Sequence, residues 1–190
     1  MNQEHYKRVI ESLWTLAENG LPYLTVERIS NHSGISTTEI EALFPQQQNI
    51  LLALIEDLNS SVELPTIDHR LTLRDQIFDA VMQYFDGAQP HRLAIKRLGE
   101  EIIWHPLLLS TVMSRLYAIG EAIIDKYQAL SIGMLHFGQK LAFKGAFAYA
   151  LKEFIDDDTF DLSKTMAALD QALKTVDDLT ARCQGLFNFK

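Results

Sequence analysis

The sequence predicts an all-α protein of about nine helices, and three observations carry that prediction. Apolar residues recur at i, i+3, i+4 and i+7 through most of the 190 residues. No stretch sustains the apolar–polar alternation of a half-buried strand between turn signals. Gly, Pro, Ser and Thr fall at the ends of the apolar-periodic runs, where helix caps belong.

The first helix carries Tyr6, Val9, Ile10, Leu13, Trp14 and Ala17 on one face, and Asn19-Gly20 followed by Pro22 ends it. Thr25 N-caps a short second helix, with Glu27 near the positive end of its dipole. That helix stops at His32-Ser33-Gly34, where Gly34 can take a positive φ. Ser36-Thr37-Thr38-Glu39 is a capping box in which the Ser36 hydroxyl caps the Glu39 N–H and Glu39 reaches back to that of Ser36. The third helix is short because Pro45 follows Phe44. A fourth begins near Gln46 and carries Ile50, Leu51, Leu54, Ile55 and Leu58.

Pro65 separates this N-terminal block, residues 1–60, from a larger domain over residues 65–185. Thr72-Leu73-Arg74-Asp75 opens its first helix, with Leu73, Ile77, Ala80, Val81 and Tyr84 on one side, and Gly87 closes it. Pro90 and Pro106 suit the first turns of the next two helices. Ser131 caps a long helix that reaches about Phe154. Asp161, at the end of the acidic connection 156–161, caps a last helix from Leu162 to about Arg182.

Composition excludes several classes. The chain is long enough to bury a core without staples. Its single cysteine, Cys183, allows neither an intrachain disulfide nor a cysteine zinc cage. No run reaches eighteen apolar residues, so no transmembrane helix is expected. The N-terminus has no basic stretch followed by an apolar one, which makes the cytoplasm the expected compartment. There is no glycine-rich phosphate loop, no nucleophile elbow, no His-x-x-x-His and no Glu-x-x-His pair. The run 156–161 lacks the glycine and the glutamate of a calcium loop, having Asp161 and Ala167 in their places. Glu100-Glu101 with His105 reads as surface pairing one helical turn apart. No enzyme activity, metal or cofactor is expected.

Two short helices joined by a glycine-containing turn and flanked by longer amphipathic helices form a helix-turn-helix unit. Ala17 and Gly20, then Leu24-Thr25-Val26-Glu27-Arg28-Ile29-Ser30, Ser33-Gly34-Ile35-Ser36, Leu43-Phe44-Pro45 and Ile50-Leu51 resemble the TetR family over residues 6–58. The resemblance implies a DNA-binding N-terminal domain and a C-terminal domain that holds a small apolar ligand and forms a homodimer. It places the third helix in the major groove, with Ser36, Thr37 and Thr38 at its exposed start and Thr25 and Arg28 adding backbone contacts. Glutamine side chains such as Gln46 and Gln47 can read adenine edges. The chain departs from the family where a DNA-contacting Tyr becomes Glu41 and a Lys becomes Gln47. Residues 1–60 hold three basic and eight acidic side chains, a charge of −5 within a total of −8. A phosphate-binding surface wants the opposite sign.

The C-terminal half carries a second resemblance. Leu73-Arg74-Asp75-Gln76-Ile77, Pro90-His91-Arg92-Leu93-Ala94 and the stretch from Phe154-Ile155-Asp156-Asp157-Asp158 to Asp161-Leu162-Ser163-Lys164-Thr165-Met166-Ala167-Ala168-Leu169-Asp170 are similar to the lipid-binding accessory family of ubiquinone biosynthesis. That family shares the TetR fold and works without recognising DNA, so the second resemblance implies a lipid or isoprenoid carrier. Met82, Phe85, Trp104, Leu108, Val112, Tyr127, His136, Phe143 and Phe147 are candidates to line an apolar ligand cavity, and core packing accounts for the same pattern. Small residues such as Gly145 and Ala148 on the long helix, with Met166, Leu169, Leu173 and Val176 on the last, are the candidate dimer surface.

Overall fold

The computed structural model describes residues 3–63, 65–126 and 134–187. Among these, nine α-helices follow one another: α1 (Gln3–Ala17), α2 (Val26–Ser33), α3 (Thr37–Leu43), α4 (Gln47–Ser61), α5 (Leu73–Ala88), α6 (Arg92–Ile102), α7 (Pro106–Lys126), α8 (Met134–Asp156) and α9 (Ser163–Phe187). Short 3-10 turns, Leu21–Tyr23 and Gln89–His91, precede α2 and α6. Pro90 therefore lies in a 3-10 turn, whereas Pro106 does open α7. Ser131, expected to cap the long helix, lies outside the described residues. α7 is the described helix long and apolar enough to cross a membrane by length and composition. Ser110, Thr111, Ser114 and Arg115 break its apolar run, so counting consecutive apolar residues passes over it.

The chain forms two compact units. The first holds residues 1–62 and 87–116, the second 63–86 and 117–190. The boundary expected near Pro65 is thus one of several crossings, because the chain returns to the first unit with α6. The return has a physical cause. Trp14 of α1 stacks on His91 with ring centroids 4.0 Å apart, and Glu101 of α6 holds the backbone ahead of α2.

The first unit buries the α1 face predicted by periodicity: Val9, Ile10, Leu13, Trp14 and Ala17. Ile29 of α2 and Ile40 of α3 are fully buried, as Leu51, Leu54 and Leu58 of α4 nearly are. Each short helix thus contributes one central anchor, and a large aliphatic anchor is worth about 2–3 kcal/mol of burial. In the second unit Tyr84 and Phe85 of α5, Ile123 and Ile124 of α7, and Phe147 and Phe154 of α8 form the centre. Leu162, Leu169 and Leu173 close it from the α9 side.

The connection from α8 to α9 is organised by a buried acid. Asp157 is 1% exposed. Its Oδ2 accepts the Thr165 N–H at 2.8 Å and the Thr165 hydroxyl at 2.7 Å. Its Oδ1 accepts the Thr159 N–H at 2.9 Å and the Thr159 hydroxyl at 2.5 Å. Burial opposes ionisation, but these four hydrogen bonds outweigh it and hold the carboxyl well below the usual carboxylate range. Asp161, the expected cap, accepts the Ser163 N–H at 3.2 Å from an exposed position. Asp157 is the principal cap because it satisfies an amide deeper in the first turn from inside the core.

Candidate nucleic-acid interface

The helix-turn-helix is built by local chemistry. The Thr25 side chain accepts the Arg28 N–H at 3.4 Å and starts α2. Gly34 ends it in the left-handed region at φ 70°, its N–H donating to Ser30 O at 2.9 Å. Arg8 of α1 donates from Nη2 to the Ser33 carbonyl at 2.6 Å, and the Ser33 hydroxyl accepts the Ile35 N–H at 3.2 Å. A Cβ on Gly34 would sit 3.0 Å from the Arg8 guanidinium, so a larger residue would strain the left-handed backbone and push that side chain aside. The Ser36 Oγ accepts the Glu39 N–H at 3.3 Å and starts α3. Here the capping box differs from its expected form, because the Ser36 hydroxyl donates to Glu39 Oε2 at 2.8 Å.

The residues expected at the DNA, Thr25, Arg28, Ser36, Thr37, Thr38, Gln46 and Gln47, are all exposed. Several already have partners within the chain. The Arg28 guanidinium lies 4.2 Å over the Tyr23 ring. Gln47 donates from Nε2 to the Leu21 carbonyl at 3.3 Å. The Gln46 N–H donates to Asn49 Oδ1 at 3.0 Å, and Gln46 Oε1 accepts from Gln48 Nε2 at 2.6 Å. Glu27, Glu39 and Glu41 are exposed on the same two short helices. The arrangement offers hydroxyls and helix N-terminal amides to a phosphate, with acidic side chains beside them.

Sequence reasoning missed the clamp ahead of α2. Glu101 accepts the Leu21 N–H through Oε2 at 2.8 Å, so it is not a surface partner of His105 one turn away. Glu100 instead pairs with Arg97 at 3.5 Å. The glycine and proline around Leu21 signalled a turn, but no local signal points eighty residues along the chain.

The expected ligand-lining residues divide. Met82, Phe85, Phe143 and Phe147 lie buried in the second unit. Phe85 stacks on Phe147 at 5.8 Å and on Phe154 at 5.0 Å, while Tyr84 tilts against Phe147 at 6.0 Å. These rings pack against one another, and the cluster also takes in Tyr84, which periodicity put on the apolar side of α5, and Phe154. Burial pushes the Tyr84 phenol up from its ordinary value. Trp104 is 79% exposed, just past the end of α6. Leu108 and Val112 are half-buried and belong to the first unit. Tyr127 and the His136 side chain lie outside the described residues.

The expected dimer residues divide as well. Gly145 and Met166 are exposed, and Ala148 and Val176 half-buried. Leu169 and Leu173 are buried within the protomer and face its own core. The outward face of α8 instead presents Gly138, Leu141, Gly145 and Tyr149, at near-helical spacing.

The sequence matches no family model and no curated protein at a significant level. Among solved structures, the crystal structure of a TetR transcriptional regulator from Rhodococcus sp. RHA1 is similar over 93% of this chain and 97% of its own, with a TM-score of 0.63 and 10% sequence identity. At that identity the likeness concerns the fold: this all-α chain folds as that TetR regulator does.

Proposed function

We propose that the chain is a TetR-like transcriptional regulator, a homodimer whose binding to operator DNA is controlled by a small apolar ligand. One observation carries the reading. The start of α3 presents Ser36, Thr37 and Thr38 to solvent from a turn secured by Gly34 and Arg8. Two such starts, held at a fixed spacing by a dimer, suit two half-sites of one duplex. A ligand in the second unit would act by favouring one dimer geometry over another.

A specific observation favours a second reading, that of a lipid or isoprenoid carrier of the same fold with no DNA partner. Glu27, Glu39 and Glu41 line the two short helices, and their one cation, Arg28, is engaged with Tyr23. Fluorescence anisotropy with duplex DNA across a salt series separates the two. The regulator binds palindromic duplex with an affinity that falls as salt rises. Failure to bind any duplex at low salt, together with a lipid retained in native mass spectrometry of protein purified from its own host, establishes the carrier.

A further inference from the structure

The corner where α6 runs into α7 carries large apolar side chains that the first unit leaves uncovered. Ile103 is 56%, Trp104 79% and Leu107 86% exposed. They fall within Ile103-Trp104-His105-Pro106-Leu107, every member of which is exposed. None of residues 103–116 is buried, although Leu, Val and Met make up much of that run. A single exposed leucine signifies little, but large apolar side chains gathered in so short a stretch mark a surface that meets something.

The corner is an ordered turn. The Trp104 and His105 N–H groups donate to the Glu101 and Ile102 carbonyls at 3.2 and 2.9 Å, and the His105 carbonyl accepts the Leu109 N–H at 2.9 Å. The exposed side chains therefore stand on backbone that is already fixed, and little ordering entropy is lost when they are covered.

Charge indicates what covers them. The whole chain is at −8, yet residues 87–116 hold four basic side chains, Arg92, Lys96, Arg97 and Arg115, against two acidic ones, Glu100 and Glu101, for a net of +2. Both acids are engaged: Glu101 holds the Leu21 N–H, and Glu100 pairs with Arg97 at 3.5 Å. No acidic residue occurs from Ile102 to Gly120. His105 and Arg115 are exposed and in no ion pair among the described residues.

Tryptophan favours the boundary between lipid headgroups and acyl chains, where its apolar body and its N–H are both satisfied. Leucine and isoleucine gain by leaving water for the chains beneath, and cations gain from anionic headgroups. A protein partner needs a pocket shaped to each anchor, whereas a bilayer accepts a protruding corner of any outline. We propose that the α6–α7 corner docks on an anionic phospholipid bilayer, inserting Ile103, Trp104 and Leu107 with His105 and Arg115 at the headgroups. This surface lies apart from the helix-turn-helix residues and depends on neither reading of the function.

Sedimentation of the full chain with phosphatidylcholine vesicles containing about one third phosphatidylglycerol, at about 0.15 M salt, tests the proposal. Binding is expected, and it should be at least about fivefold weaker on pure phosphatidylcholine. Trp14 is 6% exposed and stacked on His91, so a blue shift of the emission and quenching by brominated acyl chains report Trp104. Trp104→Ser with Leu107→Ser should weaken binding at least about tenfold. Phe160→Ser, at a 97% exposed position of the second unit, should leave it within about twofold. Arg115→Gln should weaken binding about threefold on the anionic vesicles and leave pure phosphatidylcholine unchanged. All these side chains are exposed, so folding is not at risk, and circular dichroism checks it. Failure to sediment with anionic vesicles overturns the proposal and leaves the corner to a protein partner. Equal loss in Phe160→Ser, or an unshifted emission from vesicle-bound protein, also overturns it. So does a lower oligomeric state of the Trp104 variant in light scattering, which would assign the corner to a second copy of the chain.

Discussion

Glu101 and Leu21, eighty residues apart, are joined by a 2.8 Å hydrogen bond from the Leu21 N–H to Glu101 Oε2. Gly20, beside it, has φ 99°, and a Cβ there would strike the same carboxylate. From the other side Gln47 holds the Leu21 carbonyl at 3.3 Å. The turn that aims α2 is therefore gripped by one side chain of α6 and one of α4. Glu101→Ala leaves the Leu21 amide without this acceptor and should cost about 1–3 kcal/mol in urea unfolding. Glu101→Gln keeps an acceptor oxygen and should cost about half of that or less.

The same logic applies to Asp157, whose carboxylate holds four donors from Thr159 and Thr165. Asp157→Ala strands these groups and removes the cap of α9, so it should destabilise the protein by about 3 kcal/mol. The acid also predicts a pH dependence. Burial alone would raise its folded-state pKa, but the hydrogen bonds overcome burial and depress it. Its contribution is complete above the unfolded-state value of about 3.9 and is lost as pH falls toward the folded-state value. Unfolding measured between about pH 6 and pH 2.5 should show a steep loss in the wild type that is shallower in Asp157→Asn.

The acidic side chains of the helix-turn-helix suggest a gain-of-function test of the proposed DNA binding. Glu41 and Gln47 are both exposed, and in the TetR pattern their positions carry Tyr and Lys. Glu41→Tyr with Gln47→Lys should raise nonspecific duplex affinity at low salt and steepen its salt dependence by about one unit for each further phosphate neutralised. An unchanged titration curve would show that these positions do not face the duplex. Gln47→Lys also releases the Leu21 carbonyl, so Glu41→Tyr alone is the cleaner half of the measurement.

The outward face of α8 gives a test of dimerisation. Leu141 is 62% and Tyr149 45% exposed, with Gly138 and Gly145 between and beside them. A close helix–helix interface needs such small residues. Gly145→Glu should raise the dimer dissociation constant at least about tenfold by light scattering. Leu173→Ala, a change in the buried core, should lower stability by about 2–5 kcal/mol and leave association of the folded protein nearly unchanged.

The sequence by itself determined the helices and the helix-turn-helix. The Thr25 and Ser36 caps, the left-handed Gly34 and the buried face of α1 rest on hydrogen bonds and periodicities that span a few residues, and those are written locally. Tertiary structure decided what covers each apolar face. Phe85 and Trp104 look alike in sequence, yet one is buried in a stack of rings and the other is 79% exposed. It also decided that α6 returns to the first unit, that Glu101 holds Leu21, and that Asp157 rather than Asp161 is the principal cap of α9. Periodicity tells a helix which side must leave water, but the partner that removes it comes from elsewhere in the chain, and no local pattern encodes that choice.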